Sequence, residues 1–182
     1  MDVGYEEKYH QIEEDYWWFQ ARRNVVLKLL KKIYPPDPRG AGLTSARDLE
    51  GKGGGGQVLE VGCSGGPLLL KLKELGYRGC AGIDISASAI AVAQKRGLDK
   101  VQVMDAARLD FPDASFEAVI ASDILEHLVD EQAALREWAR VLVPGGYLMV
   151  FVPAYEWLWT GHDVVNHHQR RYTQTRLASA IR

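Results

Sequence analysis

The chain has 182 residues, 47% of them hydrophobic and 25% charged, enough apolar content to bury the core of one domain. Its formal net charge of −2 gives no electrostatic footprint for a nucleic acid, and no apolar run approaches the roughly 18 residues of a membrane-crossing helix. The acidic N-terminus lacks a signal-peptide pattern and Cys63 and Cys80 form no CxxC pair, so zinc and redox roles are not expected and a cytoplasmic setting is.

From about Gly4 to Ile33 the spacing predicts a helix, with Trp18, Arg22, Val25, Val26 and Leu29 on one face. Tyr34-Pro35-Pro36-Asp37-Pro38 ends it. The aromatic run Tyr16-Trp17-Trp18-Phe19 reads either as glue to a core or as a lid. Arg22 falls among apolar neighbours, where a guanidinium needs a carboxylate. Residues 1–38 therefore read as a helical lid and 39–56 as a glycine-rich connection. Gly51-Lys52 within it is not a phosphate loop, because no Ser or Thr follows the lysine.

From residue 57 onward strands and helices alternate. Strands are predicted at Gln57–Val61, Cys80–Ile85, Val101–Met104, Phe116–Ala121 and Tyr147–Val152. Helices are predicted at Pro67–Leu75, from the Ser86 cap to about Arg96, at Glu131–Val143 and at Thr173–Ile181, with Pro144-Gly145-Gly146 as a turn. This alternation predicts an α/β, Rossmann-like doubly wound parallel sheet of strand order 3-2-1-4-5, with strand five at an edge that invites association.

The turn Gly62-Cys63-Ser64-Gly65-Gly66 joins the first strand to a helix opened by Pro67, and Gly82-Ile83-Asp84-Ile85 ends the second strand about twenty residues later. A small-residue turn with a distant acid suits a ribose-bearing cofactor. The spacing is not the G-x-G-x-x-G of a dinucleotide fold.

Glu60, Gly62 and Gly66 match the first motif of class I S-adenosylmethionine-dependent methyltransferases, with Ser64 where that family usually has glycine. The chain resembles this superfamily continuously from Gln57 to Pro153. Phe116-Glu117-Ala118-Val119-Ile120-Ala121-Ser122-Asp123 resembles its fourth motif, Ile124-Leu125-Glu126-His127-Leu128 its "LEHL" stretch, and Leu142-Val143-Pro144-Gly145-Gly146-Tyr147-Leu148 its "LKPGG" turn. The resemblance extends to ubiquinone-pathway O-methyltransferases and to bacterial methyltransferases of unassigned substrate. Two more strands normally follow in the family; they are expected to be missing here, leaving residues 57–182 a C-terminally incomplete methyltransferase domain.

The resemblance implies S-adenosylmethionine as cofactor and S-adenosylhomocysteine as product. It implies Asp84 at the ribose hydroxyls with Ile85 beside it, Asp105 and Ala106 at the adenine, and Ser122 along the methionine half. Gly62, Cys63 and Gly66 would give the backbone close approach. Each has a plainer reading: Glu60 organises the turn, Asp105 caps a turn, and Cys63 is a small turn residue. Arg22 would reach the methionine carboxylate or an internal acid. His127 is either a rim residue or the base that takes a proton from a hydroxyl. Trp159, His162, Asp163, His167 and Arg171 read as a substrate loop rather than a metal site. The expected activity is O-methylation of a small or lipid-linked metabolite. N- or C-methylation and a non-catalytic cofactor-binding domain are the rivals, and nucleic acid is not an expected partner.

Overall fold

A computed structural model describes residues 16–35, 57–77 and 79–182. The start of the predicted first helix and most of the glycine-rich connection lie outside the described residues. The elements are α1 Trp17–Ile33, β1 Gln57–Val61, α2 Pro67–Glu74, β2 Gly79–Asp84, α3 Ala87–Lys95, β3 Val101–Val103, β4 Phe116–Ser122, α4 Glu131–Val141, β5 Leu142–Phe151, α5 Gly161–Val165 and α6 Gln174–Ile181. Short 3-10 turns occupy Leu125–His127 and Glu156–Leu158.

The sheet runs β3-β2-β1-β4-β5 and every pairing is parallel, as the alternation predicts. A parallel sheet must bury both faces, and the period of two in the strands sorts the side chains accordingly. Val58, Ala118 and Ile120 join α1, α2 and α3 in one cluster. Leu59, Val61, Val119 and Ala121 join α4 in the other, around the wholly buried Trp138. The Trp138 indole N–H donates to the Ala106 carbonyl at 2.9 Å, tying α4 to the segment after β3.

Two expectations are corrected. The face of α1 that packs is Val26, Leu27 and Leu30, whereas Trp18, Val25 and Leu29 are exposed. Apolar residues lie on more than one side of this helix, so helical spacing fits both stripes, and contact with the sheet decides between them. Pro144-Gly145-Gly146 is not a turn before the last strand. It is a bulge within β5: Leu142 pairs with Phe116 and Tyr147 with Ala118, so Val143 to Gly146 stand opposite Glu117.

The turn after β1 needs left-handed backbone at Gly62 (φ 72°), Ser64 (φ 49°) and Gly66 (φ 78°). A Cβ on Gly62 would also lie 2.0 Å from Cδ1 of Ile124. Gly76, which ends α2, is left-handed as well (φ 91°) but faces open space. Gly76→Ala should therefore cost only the backbone strain, about 1 kcal/mol. Gly62→Ala should cost about 3 kcal/mol, since overlap in a packed site adds to the strain. Urea unfolding of both variants measures the difference; equal losses would show that Ile124 moves aside freely.

Candidate functional site

The strand register brings the C-terminal ends of β1, β2 and β4 level: Val61 pairs with Ile83 and with Ala121. The residues just beyond these ends, where open α/β sheets hold ligands, wall a cavity of about 820 Å³. Glu60, Gly62, Asp84, Ile85, Asp105, Ala106 and Ser122 line it, and so do Arg22 from α1 and His127. Cys63 and Gly66 do not; Cys63 is buried against the backbone of Gly82, in the cluster beneath α2.

Asp84 holds this wall together. Its Oδ2 accepts the Ser64 N–H and its Oδ1 the Ser86 N–H, each at 2.9 Å. The N–H groups of Gly62 and Cys63 donate to the Ile83 carbonyl at 2.8 and 2.9 Å, and that of Gly66 to the Cys63 carbonyl at 2.9 Å. These turn amides are thus engaged within the protein. The turn does not present them as a cradle for pyrophosphate, unlike a dinucleotide turn. It offers close approach and a carboxylate instead. Asp105 accepts the Ala107 N–H at 2.8 Å, so it caps its turn while facing the cavity. The hydroxyl of Ser122 is buried without a hydrogen-bond partner among the described residues. A buried orphan beside a cavity fits a ligand that brings a polar group.

Arg22 forms an ion pair with Asp123, which also lines the cavity and has left-handed backbone (φ 53°). The carboxylate that the sequence demands for Arg22 is therefore supplied by the protein, at the cavity wall.

The segment after β5 departs further from expectation. Of Trp159, His162, Asp163, His167 and Arg171, only His167 lines the cavity. Asp163 is 0% exposed. Arg171 grips it with two hydrogen bonds of 2.8 Å, from Nε and from Nη2. The Thr160 N–H donates to the same carboxylate at 2.8 Å, and the His168 Nδ1 lies 2.9 Å from its other oxygen. The guanidinium beside Asp163 holds its carboxyl well below the usual carboxylate range. This acid and base satisfy each other inside the segment, so they frame it rather than face a ligand. Trp159 and His162 stay exposed and away from the cavity wall.

Sequence reasoning gave no role to Glu126 or His168. Glu126 is 0% exposed, and neither carboxyl oxygen has a hydrogen-bond partner among the described residues. One donor atom each from Glu126, His127 and His168 lies within 4.8 Å of the others, close enough to share a cation. Burial pushes the Glu126 carboxyl up to about 7. Burial first, and then His168, pushes the His127 imidazole down to about 4. The signal for Glu126 was its place in an otherwise apolar Ile124-Leu125-Glu126 run, of which the 3-10 turn buries Leu125 and Glu126.

These shifts act on stability in opposite directions. Glu126 keeps a proton that the unfolded chain releases near 4.5, so its contribution is full below that pH and is lost as pH rises through about 7. His127 resists a proton that the unfolded chain takes near 6.5, so its contribution is lost as pH falls through about 4. Glu126→Gln removes the first effect alone. Between about pH 5 and pH 8 the variant should gain about 3 kcal/mol of stability relative to the unsubstituted protein. Urea midpoints at both pH values measure it, and a difference independent of pH would show that the native Glu126 carboxyl holds no extra proton.

Residues 59–150, just over half of the chain, match a family model described as a methyltransferase domain. "Probable tRNA methyltransferase 9B" of Bos taurus is 36% identical over 105 residues, covering 56% of this chain and 22% of that protein. "Ubiquinone biosynthesis O-methyltransferase" of Xanthomonas oryzae pv. oryzae is 36% identical over 102 residues, covering 53% of this chain and 42% of that one. The chain thus spans less than half the length of these curated relatives. The solved structure of the YcgJ protein of Bacillus subtilis superposes with a TM-score of 0.59 at 27% identity, covering 69% of this chain and 59% of that one. Family model, sheet order and relatives agree: the chain belongs to the class I methyltransferase superfamily, with S-adenosylmethionine as its cofactor.

Proposed function

We propose that this chain transfers the methyl group of S-adenosylmethionine to an oxygen atom of a small or lipid-linked metabolite. The observation that carries the reading is one cavity that unites the Gly62 turn, Asp84 and Asp105 with the imidazoles of His127 and His167. In this reading Asp84 takes the ribose hydroxyls, Ile85 and Ala106 flank the adenine, and Asp105 meets its edge. Glu60, Gly62, Ser122 and Arg22 surround the methionine half. Cys63 and Gly66 act on the turn's shape from behind.

The cofactor supplies an already activated sulfonium methyl, so the protein's work is alignment and exclusion of water. A hydroxyl acceptor must also lose a proton. His127 lines the cavity, and its imidazole is uncharged above about pH 4, so it presents an acceptor for that proton at neutral pH. Methylation at oxygen also has support from the similarity to a ubiquinone biosynthesis O-methyltransferase.

A second reading, methylation of RNA, has support from the similarity to "Probable tRNA methyltransferase 9B". The net charge of −2 supplies no surplus of phosphate-binding side chains for it. N- or C-methylation of a small metabolite would use the same cofactor wall with a different partner for His127.

Calorimetry with S-adenosylhomocysteine should show micromolar binding, about −8 kcal/mol, that NAD does not displace. Asp84→Asn should weaken it about tenfold or more, because hydrogen bonds to a charged acceptor contribute about 1.5–3 kcal/mol. Full affinity in that variant would take Asp84 out of the cofactor site. Transfer of a labelled methyl group, run in parallel on simple phenols, a lipid extract and bulk tRNA, then separates the readings. Label entering only tRNA would overturn the small-molecule proposal.

A further inference from the structure

Beside the cavity, three side chains able to ligate a metal converge from two segments that are distant in sequence. Glu126 and His127 come from the 3-10 turn after β4, and His168 from the segment after β5. One donor atom of each lies within 4.8 Å of the others. Glu126 is 0% exposed, and neither of its carboxyl oxygens has a hydrogen-bond partner among the described residues. No protonation state repairs that, since an ionised carboxylate needs donors and a protonated one needs an acceptor for its O–H. A cation between Glu126 and the two rings does repair it. His168 is already prepared for one. Its Nδ1 lies 2.9 Å from Oδ1 of Asp163, whose two oxygens also accept from Arg171. A carboxylate clamped by a guanidinium only accepts, so Nδ1 carries a proton and Nε2 is the nitrogen left for a ligand. A carboxylate that orients a histidine in this way is the usual support of a metal-bound imidazole. The two segments are also held in register. The Gln169 N–H donates to the Glu126 carbonyl at 2.7 Å, and the rings of His127 and His168 stand perpendicular with centroids 4.6 Å apart.

We propose that Glu126, His127 and His168 bind one divalent transition-metal ion of the zinc class, with Asp163 as the positioning residue behind His168. Two imidazoles and a carboxylate form a donor set that zinc takes, whereas magnesium and calcium favour sets made of oxygen alone. Zinc holds such ligands at about 2.0–2.2 Å, which puts tetrahedral neighbours about 3.3 Å apart, so the three donor atoms need to close by about 1.5 Å or less. The bound ion clasps the segment after β5 onto the turn after β4. Glu126 and His168 lie off the cavity wall and His127 lies on it, so the ion sits at the back of that ring. It takes the one lone pair that a neutral His127 ring offers. In the O-methylation reading, metal loading and acceptance of a proton by His127 therefore exclude each other. The clamp that removes Asp163 and Arg171 from the cavity gains a purpose here, since it aims His168.

The site itself does not depend on that reading, and its test needs no turnover. The protein is stripped with EDTA, the chelator is removed, and Co²⁺ is added as a spectroscopic stand-in for zinc. One equivalent should bind with micromolar or tighter affinity and give the strong visible absorption of four-coordinate cobalt. One equivalent of Zn²⁺ should abolish that absorption, and millimolar Mg²⁺ should not. Glu126→Gln and His168→Gln should each lose the absorption and weaken binding at least as much as loss of an outer-shell partner does, about tenfold or more. The exposed His162→Gln, outside the ligand set, should keep both. Urea unfolding identifies the variants that fold cooperatively, and either ligand variant alone carries the test if the other does not fold. A protein that binds neither Co²⁺ nor Zn²⁺ below about 100 µM would overturn the proposal. So would unchanged affinity in a folded Glu126→Gln or His168→Gln protein. Loss of binding in His162→Gln would overturn it too, because the ion would then sit on surface histidines. Absence of methyl transfer to any acceptor would count against the functional reading and leave the metal site standing.

Discussion

A single carboxylate, Asp84, ties the turn after β1 to the helix after β2, and one wall of the cavity is arranged around that bond pair. Its two oxygens hold the backbone of Ser64 and of Ser86 at 2.9 Å. The register that pairs Val61 with Ile83 delivers Asp84 to this place. The same strand end accepts two more turn amides through the Ile83 carbonyl. From α3, Arg96 reaches back to the Gly65 carbonyl at 2.9 Å. The turn is therefore fixed by its neighbours before any ligand arrives, and a rigid wall loses little conformational freedom on binding. Ser64 shows the strength of the arrangement. It sits in left-handed backbone without being glycine, a cost of about 1 kcal/mol that its hydrogen bond to a charged acceptor offsets.

The segment after β5, which reaches the cavity through Asn166, His167 and Gln169, is built on charge rather than on glycine. Asp163 is buried with its countercharge, and removing one member of such a pair typically costs about 3–5 kcal/mol. Glu126 follows the opposite solution. Among the described residues no cation pairs closely with it, so burial keeps it protonated toward neutral pH. Two carboxyl groups in one neighbourhood thus hold different protonation states, because one has an arginine fork and the other has only distant cations. Arg22 and Arg171 both pull the Glu126 carboxyl toward ionisation, but burial outweighs them.

The sheet and its order were legible because a doubly wound sheet advertises itself twice, in the alternation of elements and in the period-two burial within strands such as Val58-Leu59-Glu60-Val61. The placement of the turn, Asp84 and Asp105 on one cavity was legible because it depends on short-range backbone geometry at strand ends. What the sequence hid depends on distant partners. Val26, Leu27 and Leu30 pack although Trp18, Val25 and Leu29 repeat at the same helical spacing, and only the sheet distinguishes them. Asp163 and Arg171 look like ligand-facing charges until the fold shows that they are eight residues apart and paired. The ring packed against His127 lies some forty residues further along, in His168, where no local pattern connects the two. Pro144-Gly145-Gly146 uses its left-handed Gly145 in a bulge, since a loop and a bulge use the same residues.

The distribution of tryptophan has a practical corollary. Trp17, Trp18, Trp157 and Trp159 are exposed, on α1 and on the segment after β5, whereas Trp138 is sealed beneath the sheet with its indole N–H bonded to Ala106. Emission from the four outer indoles is open to iodide and to solvent relaxation, and that of Trp138 is shielded and blue-shifted. One fluorescence spectrum therefore carries two separable reporters: the quenchable fraction follows the surroundings of the outer segments, and the residual emission follows the integrity of the core.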